Sequence, residues 1–234
     1  MNALEVIRLI PWVDWAALAG FFVAWLGYAK FASRHAASRV TLLASTNRYR
    51  RLWMVRASAR ENRLVDANVV QSFTNTASFF ASTTILIIGG LLALLGTTDK
   101  AIEVAREIPF VARTSILLFD LKVIVMTGIF VYAFFRYTWS MRQYTFAALL
   151  VASAPDNKAF DLDEAAREDF ADRAGRMAAL AAETFNDGLR AYYLSFAALL
   201  WFFSPWAFAL GTAGVLYVLY QREFHSEVLE ILRR

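Results

Sequence analysis

The chain has no cysteine and only two histidines, His35 and His225. The first absence rules out disulfides, thiolate-held zinc or iron–sulfur centres and a thiol nucleophile. The second leaves a multi-histidine metal or haem site without ligands, so no metal and no cofactor is expected. Enzyme signatures are missing too. There is no Gly-rich phosphate loop, no His-x-x-x-His helix and no nucleophile elbow, and no enzyme activity is expected. There is no internal repeat and no low-complexity linker. Charge is absent from a long stretch: residues 67–98, between Asp66 and Asp99, carry none. At the N-terminus no small-x-small cleavage site closes a short apolar core, and the basic residues follow the first apolar run. That run is expected to be a retained anchor.

What is present is apolar. Such residues make up 59% of 234, with a mean hydropathy of +0.43, against about 45–50% in a soluble domain. The surplus lies in long runs, and many aromatic residues flank them: Trp12, Trp15, Tyr28, Tyr137, Trp139, Tyr217 and Tyr220, as an interfacial belt would require. The expected fold class is all-α: a polytopic membrane protein of four transmembrane helices with long cytoplasmic helical extensions. The spans are expected at about 12–30, 70–95, 114–136 and 191–220. Ala16, Gly20 and Ala24, with Gly27 nearby, form a small-residue stripe that lets another helix approach. Gly89 and Gly90 predict a close contact or a bend. Pro205, in the middle of the last run, predicts one tilted, kinked span; a re-entrant hairpin around Ser204-Pro205 is the alternative.

Basic residues give the orientation. Segments 30–66 and 136–190 together hold sixteen Lys and Arg, against seven beyond the other span ends. The excess predicts that both long loops are cytoplasmic and both termini periplasmic, in a bacterial inner membrane. Segments 34–66 and 140–190 are expected to be helical. The 34–66 and 163–190 stretches run without a Pro or Gly-Pro break into spans two and four, and Asp161 or Asp163 caps a helix after the turn at residues 154–157.

Four stretches carry a resemblance. They are Glu61-Asn62-Arg63-Leu64-Val65-Asp66-Ala67, then Asn75-Thr76-Ala77-Ser78-Phe79-Phe80-Ala81-Ser82-Thr83, then residues 134–144 (FFRYTWSMRQY) and residues 185–193 (FNDGLRAYY). Together they resemble an uncharacterised family of bacterial and plant integral membrane proteins, catalogued as a domain of unknown function. The resemblance implies four spans and no particular activity.

Function is therefore read from residues. Asn68, Gln71, Asn75, Ser78 and Ser82 recur three and four apart, so they share one helix face. In a membrane such a face lines water or hydrogen-bonds another helix at about 0.6–2 kcal/mol per contact. Phe79 and Phe80 lie among them as a candidate hydrophobic gate. Asp120 and Lys122 lie inside span three, where an unpaired charge costs several kcal/mol. They point apart on a helix, so each needs another partner: an ion path, an inter-helix salt bridge, or a snorkelling position for Lys122. Glu61, Asp66, Glu183 and Asp187 fall where cytoplasmic segments meet spans. They are candidate vestibule carboxylates, or partners of Arg60, Arg63 and Arg190.

The expected function is a homo-oligomeric channel or channel-like pore for small ions, built from four to six chains around an axis. The alternatives are a non-conducting scaffold or accessory subunit, and a small exporter. The expected partners are the lipid bilayer, with anionic headgroups facing the Arg-rich 48–63 segment at the cytoplasmic surface, and further copies of the chain. Nucleic acid is not an expected partner.

Overall fold

The computed structural model describes residues 10–36, 41–107 and 115–233. Its elements are helices: α1 (Trp12–Ala36), α2 (Leu42–Ser58), α3 (Leu64–Leu95), α4 (Thr98–Glu107), α5 (Ile116–Ala152), α6 (Asn157–Leu162), α7 (Glu164–Leu200), α8 (Pro205–Phe224) and α9 (Glu227–Arg233). No strand occurs among the described residues. Arg8, Arg39, Arg113 and Arg234, counted above in the charge balance, and Thr114, at the start of the third expected span, lie outside them.

Polar caps set the boundaries. Thr41 accepts the Ala44 amide at 3.1 Å and starts α2. Asn62 accepts from the Leu64 amide at 2.9 Å at the head of α3, and Ser115 from Leu118 at 3.2 Å at the head of α5. Asp163 accepts from Ala166 at 2.9 Å and starts α7; Asp161 instead pairs with Arg167. Each cap satisfies an amide that the first helical turn leaves open.

Three helices are long and apolar enough to cross a membrane: Trp12–Ala32 within α1, α3 and α5. The fourth expected span is not a single helix. Residues 201–203 form a turn, and Pro205 begins a new helix. Ser204 Oγ accepts from the Ala207 amide at 3.0 Å, so Ser204-Pro205 is a capping residue followed by a proline at the first helical position. The chain then reverses. A Cβ on Gly211 would lie 3.5 Å from Ala197 Cα and 2.5 Å from the Leu200 side chain, so α8 runs back along the end of α7. A single kinked span would put Ala197 and Gly211 about 20 Å apart.

Two further expectations change. The 34–66 segment does not run unbroken into span two, because residues 59–63 separate α2 from α3. The helix of span three does not stop at 136, since α5 continues unbroken to Ala152. The expected continuity of 163–190 into the last apolar run does hold, as α7.

The described helices divide into two compact units. The first comprises Met1–His35, Thr84–Tyr132 and Arg190–Gln221; the second comprises Ala36–Thr83, Ala133–Leu189 and Arg222–Arg234. The first holds a buried aromatic set in which Phe208 packs on Phe21 and stacks on Trp201, with ring centroids 5.0 and 5.1 Å away. The second buries Met54, Val151, Phe160, Phe170, Ala171, Ala174 and Ala178. Gly175 permits a close helix crossing: a Cβ there would stand 2.9 Å from the Arg51 Cα. In this second unit the Leu43 amide donates to Glu223 Oε1 at 3.1 Å, and α9 packs on α2. The C-terminal helix therefore lies on the side of the Arg-rich segment. This contact runs against the expectation that the C-terminus and this segment lie on opposite sides of the membrane.

Candidate functional site

The predicted polar stripe falls on one outward face of α3. Asn68, Gln71, Asn75, Phe79 and Ser82 are exposed and Ser78 is half-buried. Asn68, Gln71, Ser72, Asn75, Thr76 and Phe79 line an open groove of about 480 Å³. The opposite face, through Val70, Ala77, Ala81 and Thr84, is buried. Among the described residues the stripe is thus not used to pack against another helix. Its hydroxyls and amides differ. Thr76 and Thr83 donate to the carbonyls of Ser72 and Phe79 in the preceding turn, at 3.0 and 2.9 Å. An amide has more to satisfy. Gln71 Nε2 donates to Asn75 Oδ1 at 2.7 Å, which still leaves the Asn75 NH₂ group and all of Asn68 facing outward. In contact with lipid each unmet amide would cost about 2–7 kcal/mol.

The same face continues past Ser82 through Leu86, Gly89 and Ala93, all exposed. A Cβ on Gly89 or Gly90 would meet nothing within 4 Å, and α3 neither bends nor breaks there. The contact or bend expected at these glycines is therefore not made among the described residues. Nor is the one expected at α1, where Gly20 and Gly27 also face open space.

Phe80 is not part of an outward gate. Its ring stacks on Tyr137 at 5.2 Å and meets Phe185 edge-on at 5.5 Å. Phe79 alone points outward, 66% exposed. Its level on α3 is that of Tyr137, beside Arg136. Asn75, Gln71 and Asn68 lie roughly 6, 12 and 17 Å further toward the head of α3. The amides therefore lie in the head half of the helix, and Ser82, Leu86, Gly89 and Ala93 run toward its other end.

The two charges in α5 are satisfied within the first unit. Asp120 Oδ1 accepts the Thr98 hydroxyl at 2.8 Å. Lys122 is 2% exposed, and its ammonium lies 5.6 Å from the Trp201 ring centre and 5.7 Å from that of Phe202. The Trp201 indole donates to Asp14 Oδ1 at 2.7 Å, and Asp14 is the carboxylate acting electrostatically on Lys122. Asp120 and Lys122 therefore do not pair with each other and do not reach the α3 face. Asp14 and Trp201 escaped the sequence reading. The available signal was a carboxylate just inside the first apolar run, in Trp12-Val13-Asp14-Trp15.

The four carboxylates expected at a vestibule do not converge. Asp66 is fully buried, accepting the Trp53 indole at 2.6 Å and pairing with Arg60. Asp187 pairs with Arg136, and Glu183 accepts from Asn47 at 2.9 Å. Glu61 is exposed. Arg63 serves backbone instead, donating to the carbonyls of Ala154 and Pro155 at the turn before α6. Arg50 donates to Asn47 at 2.8 Å; burial pushes its guanidinium down from the ordinary value, against the opposing pull of Tyr144 and Glu183. No group of three or more acidic or histidine side chains suited to a metal occurs among the described residues.

Three of the four stretches that carried the resemblance meet in the second unit. Phe80 comes from the second, Arg136 and Tyr137 from the third, and Phe185, Asp187 and Gly188 from the fourth. A Cβ on Gly188 would lie 2.6 Å from the buried Tyr137 ring, so only glycine allows this contact without a shift. These features define the class: an all-helical membrane protein with an unpartnered polar face on a membrane-length helix. The chain belongs to the family described as "Protein of unknown function, DUF599", which matches residues 16–228. No curated protein and no solved structure is similar enough to match it.

Proposed function

We propose that the chain is the subunit of a homo-oligomeric, channel-like pore for small ions in a bacterial inner membrane, with α3 of each copy facing a shared axis. The observation that carries this reading is the α3 face. Among the described residues its amides are unmet and no helix covers it, and its glycines leave room for another copy. Asn68, Gln71 and Asn75 form the mouth on the side of the basic loops. Phe79 is the threshold, and Ser82, Leu86, Gly89 and Ala93 line the narrow passage beyond it. A ring of Phe or Leu gates by excluding water. The lining is uncharged, so discrimination rests on pore width and amide dipoles. With the C-terminal arginines on the same side as both long loops, the basic excess becomes nineteen against four, which supports a cytoplasmic mouth.

The test uses the native absence of cysteine. In proteoliposomes, cysteines at 68, 71, 75, 79 and 82 react with a charged thiol reagent and the reaction blocks ion flux, while cysteines at the buried Ala77 and Ala81 stay silent. Protection of all five stripe positions, or flux unchanged after their modification, removes the pore. A second reading, a non-conducting scaffold, draws on one observation: the amides lie in the head half of α3, where water outside the bilayer would satisfy them. It predicts labelling at 68, 71 and 75, none at 79 and 82, and no flux.

A further inference from the structure

Helix α2 carries four arginines and no acidic residue. The structure divides them by role. Arg50 is held by Asn47, and Arg51 by Glu168 and Asp172 of α7. Arg48 and Arg56 make no ion pair among the described residues, and both are exposed. They flank exposed Tyr49 and Leu52 at spacings of one, four and eight residues, which place all four side chains on one face of the helix. The other side of α2 is occupied: Met54 and Ala57 are buried, and Arg51 packs against Gly175. An outward face of two unmet arginines, a tyrosine and a leucine matches an interfacial surface, where cationic heads meet phosphate and the apolar parts reach the acyl boundary. Chain connectivity supplies the second argument. Only residues 37–41 separate α2 from α1, whose membrane-crossing part ends at Ala32 with Arg34 exposed just beyond it. So short a link keeps the head of α2 within about 20 Å of the end of α1 at Ala36.

We propose that the outward face of α2, formed by Arg48, Tyr49, Leu52 and Arg56, docks on the anionic phospholipid headgroups of the bilayer that holds the spans. It is a lipid-sensing contact separate from the α3 face and independent of whether the protein conducts. The arginines facing the protein are neutralised by it, and the two facing outward are left for lipid phosphate.

The experiment places a nitroxide on Leu52→Cys of the full chain in nanodiscs of phosphatidylcholine alone or mixed with phosphatidylglycerol. A control label sits at Leu162→Cys, a position 91% exposed. Accessibility to a water-soluble nickel chelate is the readout. At position 52 it falls about tenfold on adding phosphatidylglycerol, recovers at roughly 1 M salt, and no longer falls in the Arg48→Gln/Arg56→Gln variant. Position 162 stays accessible throughout. Equal accessibility at position 52 in both lipids overturns the proposal. So does protection already present in detergent, which assigns the face to a second copy of the chain. Both labelled positions and both arginines are exposed, so the variants keep the fold, and an unchanged elution volume verifies it.

Discussion

Asp14 and Lys122 are both almost fully buried in the first unit, joined through the indole of Trp201, which bonds the carboxylate with its N–H and offers its ring face to the ammonium. Neither charge is affordable alone at this depth. Lys122→Met keeps side-chain volume but strands Asp14, and the expected loss is about 2–5 kcal/mol. Thermal unfolding in detergent should show it as a lowered Tm, and Asp14→Asn with Lys122→Met should recover most of the loss. A double variant no more stable than the single one would show that the two charges are not coupled. Ion flux through the doubly changed protein should match the parent, because this pair lies off the α3 face.

At the scale of elements, close helix crossings depend on glycine in two places. Gly188→Ala pushes a methyl into the Tyr137 ring, and Gly175→Ala pushes one toward the Arg51 backbone, which cannot turn aside. Each should destabilise by about 1–3 kcal/mol in denaturant or thermal unfolding, Gly175→Ala by more. Gly20 and Gly89 lie in equally helical surroundings but with no neighbour within 4 Å. Alanine at either should leave the unfolding of a dissociated chain unchanged or raise its stability by up to about 1 kcal/mol, because glycine is a poor helix former.

For the whole molecule that contrast becomes a test of assembly. Gly20→Leu and Gly89→Leu should preserve the fold of each chain and shift the particle mass from oligomer to monomer. A parent protein that is monomeric by mass in mild detergent would remove the shared axis. The reversal at Ser204-Pro205 makes a second prediction. Reporters fused after Ala154 and at the C-terminus should report the same compartment, and opposite signals would mean that residues 191–220 cross the membrane once.

The sequence by itself determined the helical class, the long apolar helices, a cap for α7 at either Asp161 or Asp163, and the polar stripe on one face of α3. All of these follow from composition, periodicity and local hydrogen bonding. It also contained Ser204-Pro205, yet a proline within an apolar run is read equally well as a kink or as the first residue of a new helix. Only the packing of Gly211 on Ala197 and Leu200 decides between them. The break before α3 was hidden similarly, in a capping Asn62 with no glycine or proline to mark it. The partners of charged groups were beyond reach, because Asp14, Lys122 and Trp201 are brought together across long separations in the chain. Which of Phe79 and Phe80 faces outward was also undecided. Adjacent residues differ by about 100° around a helix, and the neighbours in the folded chain select the buried one: Tyr137 and Phe185 take Phe80, leaving Phe79 on the polar face.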